Sequence, residues 1–449
     1  MPTTLPELLP MSIDLPVSHD GVPSGGGGHP ADPARRRFVQ AAAATGAIGP
    51  AAVAAARGRH RGASGLRVGL VGCGGRGTGA AVNAMEASGD VTIVAMGDAF
   101  ADRLKGCRDT LASREPERAT VPDERCFVGF DAFERVIAQD IDLVILATPP
   151  QFRPAMFAAA VDAGKHVFME KPVAVDPSGI RTVVAAAKRA REKRLSVVAG
   201  TQRRHERSYL ATIEQIRNGV IGDVTGGACY WNQGGLWMKP RQDGWTDMEW
   251  QLRNWLYFTW LSGDHIVEQH VHNIDVCNWV IGTHPTRAIG LGGREVRTDP
   301  AYGHVFDHFA IEFEYPGDVR VTSMCRQQDG TTPRVEEFIR GTRGACRLSP
   351  GRGEINGQTE WWFEGENPNP YVQEHVDLHE SIRTNAGLNE GEQVAMSTMT
   401  AIFGRLACYT GRELEWDDTY NLDLTLAPST IALGPVAVPD IAVPGRTRY

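Results

Sequence analysis

Apolar runs alternate with amphipathic stretches over the first half of the chain. The runs predict strands at residues 68–71, 91–96, 141–150, 165–172 and 195–200. The stretches between them predict helices at residues 78–85, 155–164 and 180–191. Strands that alternate with helices in this way are typical of a doubly wound α/β domain with a parallel sheet, in which ligands bind beyond the carboxyl ends of the strands.

From residue 201 the pattern changes to strands in which apolar and polar residues alternate, at residues 225–235, 309–327 and 335–348. Alternation predicts an antiparallel or mixed sheet with one buried face. Residues 387–416 read as an amphipathic helix that ends at Gly411. We therefore divide the chain into a leader (1–62), a first α/β domain (63–200), a second α/β domain (201–425) and an extended arm (426–449).

A glycine motif joins the first predicted strand to the first helix. Gly72, Gly74 and Gly77 form G-x-G-x-x-G, which permits a tight turn, close approach of a pyrophosphate and close packing of helix on strand. Asp98 ends the second strand, 21 positions after Gly77, where its carboxylate can accept hydrogen bonds from ribose hydroxyls. The sequence therefore predicts NAD as cofactor, and Arg103 leaves NADP open.

Composition and charge favour a small-molecule partner. The chain has 449 residues, 42% of them hydrophobic, which is enough for two domains with their own cores. Its net charge of −8 includes no basic stripe that would neutralise phosphates, so we expect no nucleic-acid partner. The eight cysteines are scattered singly, so no zinc site is predicted. No apolar run reaches the roughly 18 residues of a membrane anchor.

The leader contains an export-like pattern. Arg35, Arg36 and Phe38 precede a weakly apolar Ala/Gly run that ends in small residues at 54–56. This order resembles a twin-arginine signal, and the alternative is a basic patch before an Ala-rich helix. Twin-arginine export carries folded proteins, so the pattern predicts a periplasmic or secreted protein whose cofactor is tightly bound before export.

Five motifs, taken in order, resemble the Gfo/Idh/MocA oxidoreductase family, which includes glucose-fructose oxidoreductase and inositol dehydrogenases. They are GCGGRG at residues 72–77, TPP at 148–150, GKHVFMEKP at 164–172, GVIGDV at 219–224 and EQHVHNID at 268–275. The resemblance covers residues 67–415. It implies a Rossmann domain, a second domain with a large open, mainly antiparallel sheet, and nicotinamide-dependent oxidation or reduction of a secondary alcohol in a sugar or polyol.

The resemblance also implies roles for particular residues. Lys171 would lie between the nicotinamide and the substrate, and the D-x-x-x-H pair of the family falls on Glu268 and His272. Glu268 replaces the usual Asp, and His270 stands where the family has Gly. Hydride transfer from a carbinol requires a base for the hydroxyl proton, which suits His272, while Lys171 would stabilise the developing alkoxide.

If residues 268–275 form one helix, Glu268, His272 and Asp275 share a face, and Asp275 orients the His272 ring. The predicted cofactor-binding residues are Gly72, Gly74, Gly75, Arg76, Gly77, Asp98, Thr148, Pro149, Glu170 and Lys171. The candidate substrate-binding residues are Arg203, Arg204, Trp231, Trp237 and Tyr302. Six tryptophans within thirty residues either line a sugar-binding cleft or pack in a core or an oligomer contact: Trp231, Trp237, Trp245, Trp250, Trp255 and Trp260.

Two alternatives to the oxidoreductase stay open at the level of sequence. One is a glycosidase or lyase that uses tightly bound NAD(H) for transient oxidation of the sugar, a reaction known in a branch of this superfamily. Another is a protein that binds a cofactor or metal without catalysis. A metal could use Glu268 and His272, but the sequence offers no third ligand, so no metal is predicted. We also expect a homo-oligomer, either a dimer or a tetramer.

Overall fold

The computed structural model describes residues 65–449. The predicted leader, with Arg35, Arg36 and Phe38, lies outside the described residues. Within residues 65–449, no helix combines the length and the apolar character needed to cross a membrane.

The first sheet has six parallel strands in the order β3-β2-β1-β4-β5-β6, as expected for a doubly wound α/β domain. They are β1 (Arg67–Val71), β2 (Thr92–Asp98), β3 (Cys126–Val128), β4 (Leu143–Leu146), β5 (His166–Met169) and β6 (Val197–Ala199). The strand order reverses between β1 and β4. In such sheets, ligands bind in the crevice at this reversal, beyond the carboxyl ends of the strands.

Five helices connect these strands and cover the sheet. They are α1 (Gly75–Ala87), α2 (Ala101–Arg114), α3 (Ala132–Ile137), α4 (Arg153–Asp162) and α5 (Pro177–Glu192). α5 shows how the sequence sets a boundary, because the Asp176 side chain accepts a hydrogen bond from the Gly179 amide and Pro177 occupies the first helical position. Ile180, Val183 and Ala187 then bury one stripe of α5 in the core.

The second sheet has nine strands in the order β14-β13-β12-β11-β7-β10-β9-β8-β15. They are β7 (Val224–Gln233), β8 (Arg287–Gly293), β9 (His308–Tyr315), β10 (Val319–Gln327), β11 (Arg334–Gly341), β12 (Gly344–Ser349), β13 (Arg352–Gly357), β14 (Trp361–Trp362) and β15 (Leu414–Glu415). Neighbouring strands run antiparallel, apart from the parallel pair β7 and β10. The predicted large, mainly antiparallel sheet is therefore confirmed.

Eight helices accompany the second sheet. They are α6 (Arg207–Arg217), α7 (Asp247–Arg253), α8 (Thr259–Ser262), α9 (His265–Glu268), α10 (Val271–Ile281), α11 (Pro370–Thr384), α12 (Gly391–Thr410) and α13 (Trp416–Tyr420). α11 returns to the first sheet, where Leu378 and Ile382 join the apolar core that contains Val68 and Phe168. The core of the first sheet is thus completed by residues far along the chain.

The predicted amphipathic helix near the C-terminus is α12, and it ends as expected before Gly411, which has a left-handed φ of 66°. It is not amphipathic in its surroundings. Only Glu392, Gln393 and Met396 are partly exposed, and all remaining residues of the helix are buried. α12 packs against α5 of the first half and against α10 and β8 of the second. A helix enclosed on all sides ties the two halves into one core.

Candidate active site

The glycine motif forms an open cradle at the start of α1. Gly72 has a φ of +94°, and a Cβ on Gly77 would lie 1.8 Å from the Gly72 carbonyl oxygen, so both positions require glycine. Gly74 and Gly75, in contrast, would carry a Cβ into empty space. The backbone there leaves room for an anion at the helix N-terminus, where free N–H groups favour negative charge.

Asp98 lies at the end of β2 beside this cradle. One carboxylate oxygen accepts from the Cys73 amide at 2.6 Å and the other from the Phe100 amide at 2.9 Å. Burial raises the pKa of Asp98. Each oxygen keeps a second lone pair, so the carboxylate can still accept from a ribose hydroxyl.

A cavity of about 520 Å³ joins the cradle to the edge of the sheet. From the predicted cofactor-binding set it is lined by Gly72, Gly74, Gly75, Arg76, Asp98, Thr148 and Pro149. Its position at the strand reversal, its open glycines and its acidic residue fit a dinucleotide. When bound there, NAD would supply the acceptor or donor of a hydride.

Glu170 and Lys171 of the predicted cofactor-binding set do not line this cavity. The buried Glu170 carboxylate instead accepts from Arg76 Nε at 2.6 Å. Glu170 therefore holds the glycine loop against the end of β5, which is a positioning role.

Lys171 faces the second domain. Its Nζ atom donates to the Glu268 carbonyl oxygen at 2.6 Å and pairs with the Glu268 carboxylate at 3.1 Å. Both side chains are mostly but not fully buried, at 15% and 13% exposure. Two residues that the family resemblance singles out separately, Lys171 and Glu268, are thus in direct contact.

His272 lies in the same region and is buried. Burial, and next the positive charge of Lys171 and of Arg203, holds its pKa well below the usual range, so the ring is neutral at pH 7. The Trp231 ring stacks on it with centroids 5.7 Å apart. A neutral imidazole next to a lysine can accept a proton from a hydroxyl group.

Two expectations about residues 268–275 are wrong. The segment is not one helix, because α9 ends at Glu268 and α10 begins at Val271. Asp275 does not orient His272, since its carboxylate accepts from Arg204 at 2.8 and 2.9 Å and from Ser397 at 2.6 Å. Asp275 is a buried structural anion. The Nδ1 atom of His272 has no hydrogen-bond partner among residues 65–449.

The arginines proposed as substrate ligands are occupied elsewhere. Arg203 is 3% exposed and forms an ion pair with the fully buried Glu337, whose other contacts are Asn273 Nδ2 and the Tyr209 hydroxyl. Arg204 pairs with Asp275. Sequence reasoning failed here because each partner lies dozens of residues away.

Replacing Arg203 with methionine is expected to lower the free energy of unfolding by about 3 kcal/mol, because Glu337 would be left buried without its partner. Adding Glu337→Leu should restore only part of that loss, because it removes the unpaired carboxylate but leaves the buried Asn273 amide and Tyr209 hydroxyl without their acceptor. Urea denaturation of the two variants and the wild-type protein measures both effects. An Arg203→Met variant with an unchanged free energy of unfolding would contradict the structural role of the Arg203–Glu337 ion pair.

The candidate aromatic residues divide into two groups. Trp231 lies on His272, whereas Trp237 lines the nucleotide cavity and contacts Trp255 edge-on with centroids 6.1 Å apart. Tyr302 packs edge-on against Tyr257, 5.1 Å between centroids. Only Trp231 therefore lies at the proposed proton acceptor.

Further residues near the site were not predicted. The buried Arg153 donates to the carbonyl oxygens of Thr148 and Pro172, so it connects the loop after β4 to the turn that carries Lys171. Burial lowers the pKa of Arg153 to about 10. Gln269, next to Glu268, accepts from Gln233 at 3.2 Å and from Gln327 at 2.6 Å. Only adjacency in sequence to motif residues could have drawn attention to Arg153 and Gln269.

Among residues 65–449, no cluster of three or more His, Cys, Asp or Glu side chains is arranged to hold a metal ion. His270, the replacement for the family glycine, is fully buried, and its Nε2 atom forms a hydrogen bond with the Ser323 hydroxyl at 2.7 Å.

Both halves of the chain match known protein families. Residues 66–198 match the pattern described as "Oxidoreductase family, NAD-binding Rossmann fold", and residues 209–347 match "GFO/IDH/MocA C-terminal domain". A glycosyl hydrolase family 109 protein of Streptomyces coelicolor is 31% identical over 347 residues, which are 70% of this chain and 69% of that protein. An uncharacterized oxidoreductase of Streptococcus pneumoniae is 26% identical over 51% of this chain and 59% of that protein, so the match spans under two thirds of its length.

Solved structures share the fold. The aldose-aldose oxidoreductase of Caulobacter crescentus has a TM-score of 0.63 at 18% identity, covering 78% of this chain and 99% of that one. The scyllo-inositol dehydrogenase of Lactobacillus casei, solved with NAD(H) and scyllo-inositol, has a TM-score of 0.60 at 20% identity, covering 79% and 99%. With both domain patterns, the open glycine cradle and the two sheets in place, this chain belongs to the Gfo/Idh/MocA family of NAD-binding oxidoreductases.

Proposed function

We propose that this protein oxidises or reduces a secondary alcohol of a sugar, polyol or glycoside with NAD as hydride carrier. The observation that carries the proposal is the buried, neutral His272 close to the Lys171–Glu268 pair. Lys171 lies on the turn that follows β5, at the edge of the first sheet where the nucleotide would bind. These residues supply what carbinol chemistry needs besides the hydride carrier, namely a proton acceptor and a cation for the oxygen.

Two side chains act on the reacting hydroxyl group in this mechanism. His272 accepts the hydroxyl proton as the carbinol C–H bond breaks, and it returns the proton when the reaction runs in reverse. Lys171 turns one N–H bond from Glu268 to the substrate oxygen and stabilises its developing negative charge. Glu268 keeps the ammonium in place and accepts from a neighbouring substrate hydroxyl. Trp231 offers an apolar face beside the ring of His272.

NAD is the proposed cofactor because the Asp98 carboxylate would repel the 2′-phosphate of NADP, while Arg103 in the same cavity is the feature that would favour NADP. We also propose that the nucleotide is tightly bound. A fluorescence titration of nucleotide-free protein with NADH and NADPH tests the preference, and tighter binding of NADPH would contradict it.

The kcat/KM for alcohol oxidation is expected to stay constant when the pH falls from 8 to 6. His272 must be neutral to accept a proton, and its lowered pKa keeps it neutral until the pH falls well below 6.5. We expect kcat/KM for alcohol oxidation to stay level from pH 8 to pH 6 and to decline only below that range. A decline centred at pH 6.5 or above would contradict the assignment of His272 as the proton acceptor.

A test of the function begins with the protein as purified. Any bound nucleotide is identified after acid release, and sugars, polyols and aryl glycosides are then screened for nicotinamide absorbance change and for product. Oxidation of a free sugar or polyol with equal formation of NADH supports the proposal. If no nucleotide binds and no substrate is turned over, the protein acts as neither an oxidoreductase nor a glycosidase, and a non-catalytic binding role takes their place.

A second candidate function follows from the relative named as a glycosyl hydrolase family 109 protein. In that case the same residues would oxidise a glycoside transiently, and the NADH formed would be consumed again before the product leaves. Hydrolysis of an aryl glycoside with bound NAD and no net NADH would favour this reaction over the dehydrogenase.

A further inference from the structure

The cavity beside the glycine loop has a second wall, built by the other half of the chain. The loops after β1, β2 and β4 form one side. The other side consists of Trp237, Met238, Lys239, Leu252, Arg253 and Trp255. We call residues 236–255, which hold all six, the roof segment. They belong to the tryptophan-rich stretch whose role the sequence left open.

The roof segment is fastened to the residues that follow β2, beside Asp98. The two terminal nitrogens of Arg253 donate to the two carboxylate oxygens of Asp102, each at 2.9 Å. The Arg253 guanidinium also lies 4.1 Å from the centre of the Phe100 ring. Phe100 and Asp102 follow directly after Asp98, the predicted ribose ligand. Arg253 therefore bridges the roof segment to the part of the first domain that would contact adenosine.

The roof segment is also supported from behind, so it is a packed part of the fold. Trp250 and Leu252 share an apolar core with Trp260, and the Phe152 ring meets Trp260 edge-on at 6.3 Å. The C-terminal arm braces this core, since the Met248 amide donates to the Gly434 carbonyl oxygen at 3.0 Å. Its shape is thus set before any ligand enters.

Lys239 is the unused charge in this wall. It is half-buried and lines the same cavity as Gly74 and Gly75, and it forms no ion pair with any residue from 65 to 449. Arg253, in comparison, is neutralised by Asp102 and Glu249. A free ammonium in the same cavity as an open glycine cradle at a helix N-terminus adds to the positive potential there, which suits a diphosphate.

We propose that the roof segment supplies the second half of the dinucleotide site: Lys239 pairs with the pyrophosphate, and Arg253, held by Asp102, closes the adenosine end. The nucleotide is then held between the glycine loop and the roof segment, and its release requires both contacts to break. This proposal rests on the nucleotide-binding part of the proposed function and is independent of the substrate and of the reaction catalysed.

The test measures nucleotide release. Wild-type protein and variants are loaded with NADH, chased with excess NAD, and followed by the fall in NADH fluorescence. Lys239→Met should release NADH about tenfold faster or more, the effect expected on losing a charge-assisted contact of at least about 1.4 kcal/mol. Arg241→Met is the matched control, because Arg241 belongs to the same segment but pairs with Asp247 and does not line the cavity.

Salt provides a readout that a merely structural role would not change. Release from the wild-type protein should accelerate with sodium chloride, and release from Lys239→Met should respond much less, because the screened ion pair is gone. A second variant, Asp102→Ala, removes the anchor of Arg253 without altering the cavity lining, and it should also accelerate release.

Release from Lys239→Met at the wild-type rate, with wild-type salt dependence, would overturn the assignment of Lys239. An unchanged rate in Asp102→Ala would overturn the closing role of Arg253. Failure of the wild-type protein to bind NADH at all is a distinct result, since it would refute the proposed function itself. Thermal midpoints of the nucleotide-free variants, expected to match the wild-type value for Lys239→Met, show that the effects come from the site.

Discussion

Replacing Lys171 with methionine is expected to lower kcat for alcohol oxidation by about 10²- to 10³-fold, the usual cost of losing a donor to a developing oxyanion. The apolar side chain has similar length, so it fills the same space without a charge. Steady-state kinetics with a substrate found in the screen give the effect on kcat. The nucleotide should stay bound, because Lys171 does not line the cavity.

The same variant should also change the pH profile. Lys171 contributes to the low pKa of His272, so its removal should raise that pKa and move the acidic decline of kcat/KM upward. Lys188→Met is the control, since Lys188 is exposed on α5. A Lys171→Met protein with wild-type kcat would exclude Lys171 from the reaction, and a reduced kcat with an unmoved acidic limb would exclude its electrostatic link to His272.

Replacing Gly74 with valine should abolish nucleotide binding without weakening the fold. The position has an ordinary extended backbone, with φ −76°, and its Cβ would enter open space. The isopropyl group would then occupy the room left for the pyrophosphate. We expect the dissociation constant for NADH to rise at least about 100-fold, which corresponds to about 2.7 kcal/mol. Isothermal titration measures the constant, and a thermal melt of the nucleotide-free protein should be unchanged.

Two other glycines serve as comparisons. Gly77→Ala should lose both binding and stability, because the new Cβ would lie 1.8 Å from the Gly72 carbonyl oxygen. Gly106→Ala, on the exposed side of α2 with open space around its Cβ, should keep wild-type affinity. If Gly74→Val binds NADH as the wild-type protein does, the cradle is not the pyrophosphate site.

The fold of the first half was predictable because its signals are local. A strand, three glycines, a helix and an acid follow one another within about thirty residues of the chain, and backbone geometry alone then places Asp98 beside the cradle. The second sheet was predictable in kind from the alternation of buried and exposed residues, as β9 shows. Its strand order was not, because pairs such as β7 with β10 join segments far apart in sequence.

The errors in the site have a common physical origin. Nothing in residues 268–275 breaks a helix by itself, since the segment contains neither glycine nor proline, yet α9 and α10 are separated there. Arg203 and Asp275 bear charges that usually face water, and only distant partners such as Glu337 and Arg204 allow their burial. Long-range pairing of this kind leaves no trace in local sequence.

The return of α11 to the first sheet also bears on synthesis of the protein. Leu378 and Ile382 complete the core beneath the sheet, and the Val197 amide donates to the Leu388 carbonyl oxygen at 2.7 Å. A nascent chain that ends near residue 200 would carry the whole glycine motif but leave this apolar surface bare. We therefore expect the first sheet to be completed only after the ribosome has delivered α11 and the residues up to Leu388, and shorter nascent chains to be prone to aggregation through this apolar surface.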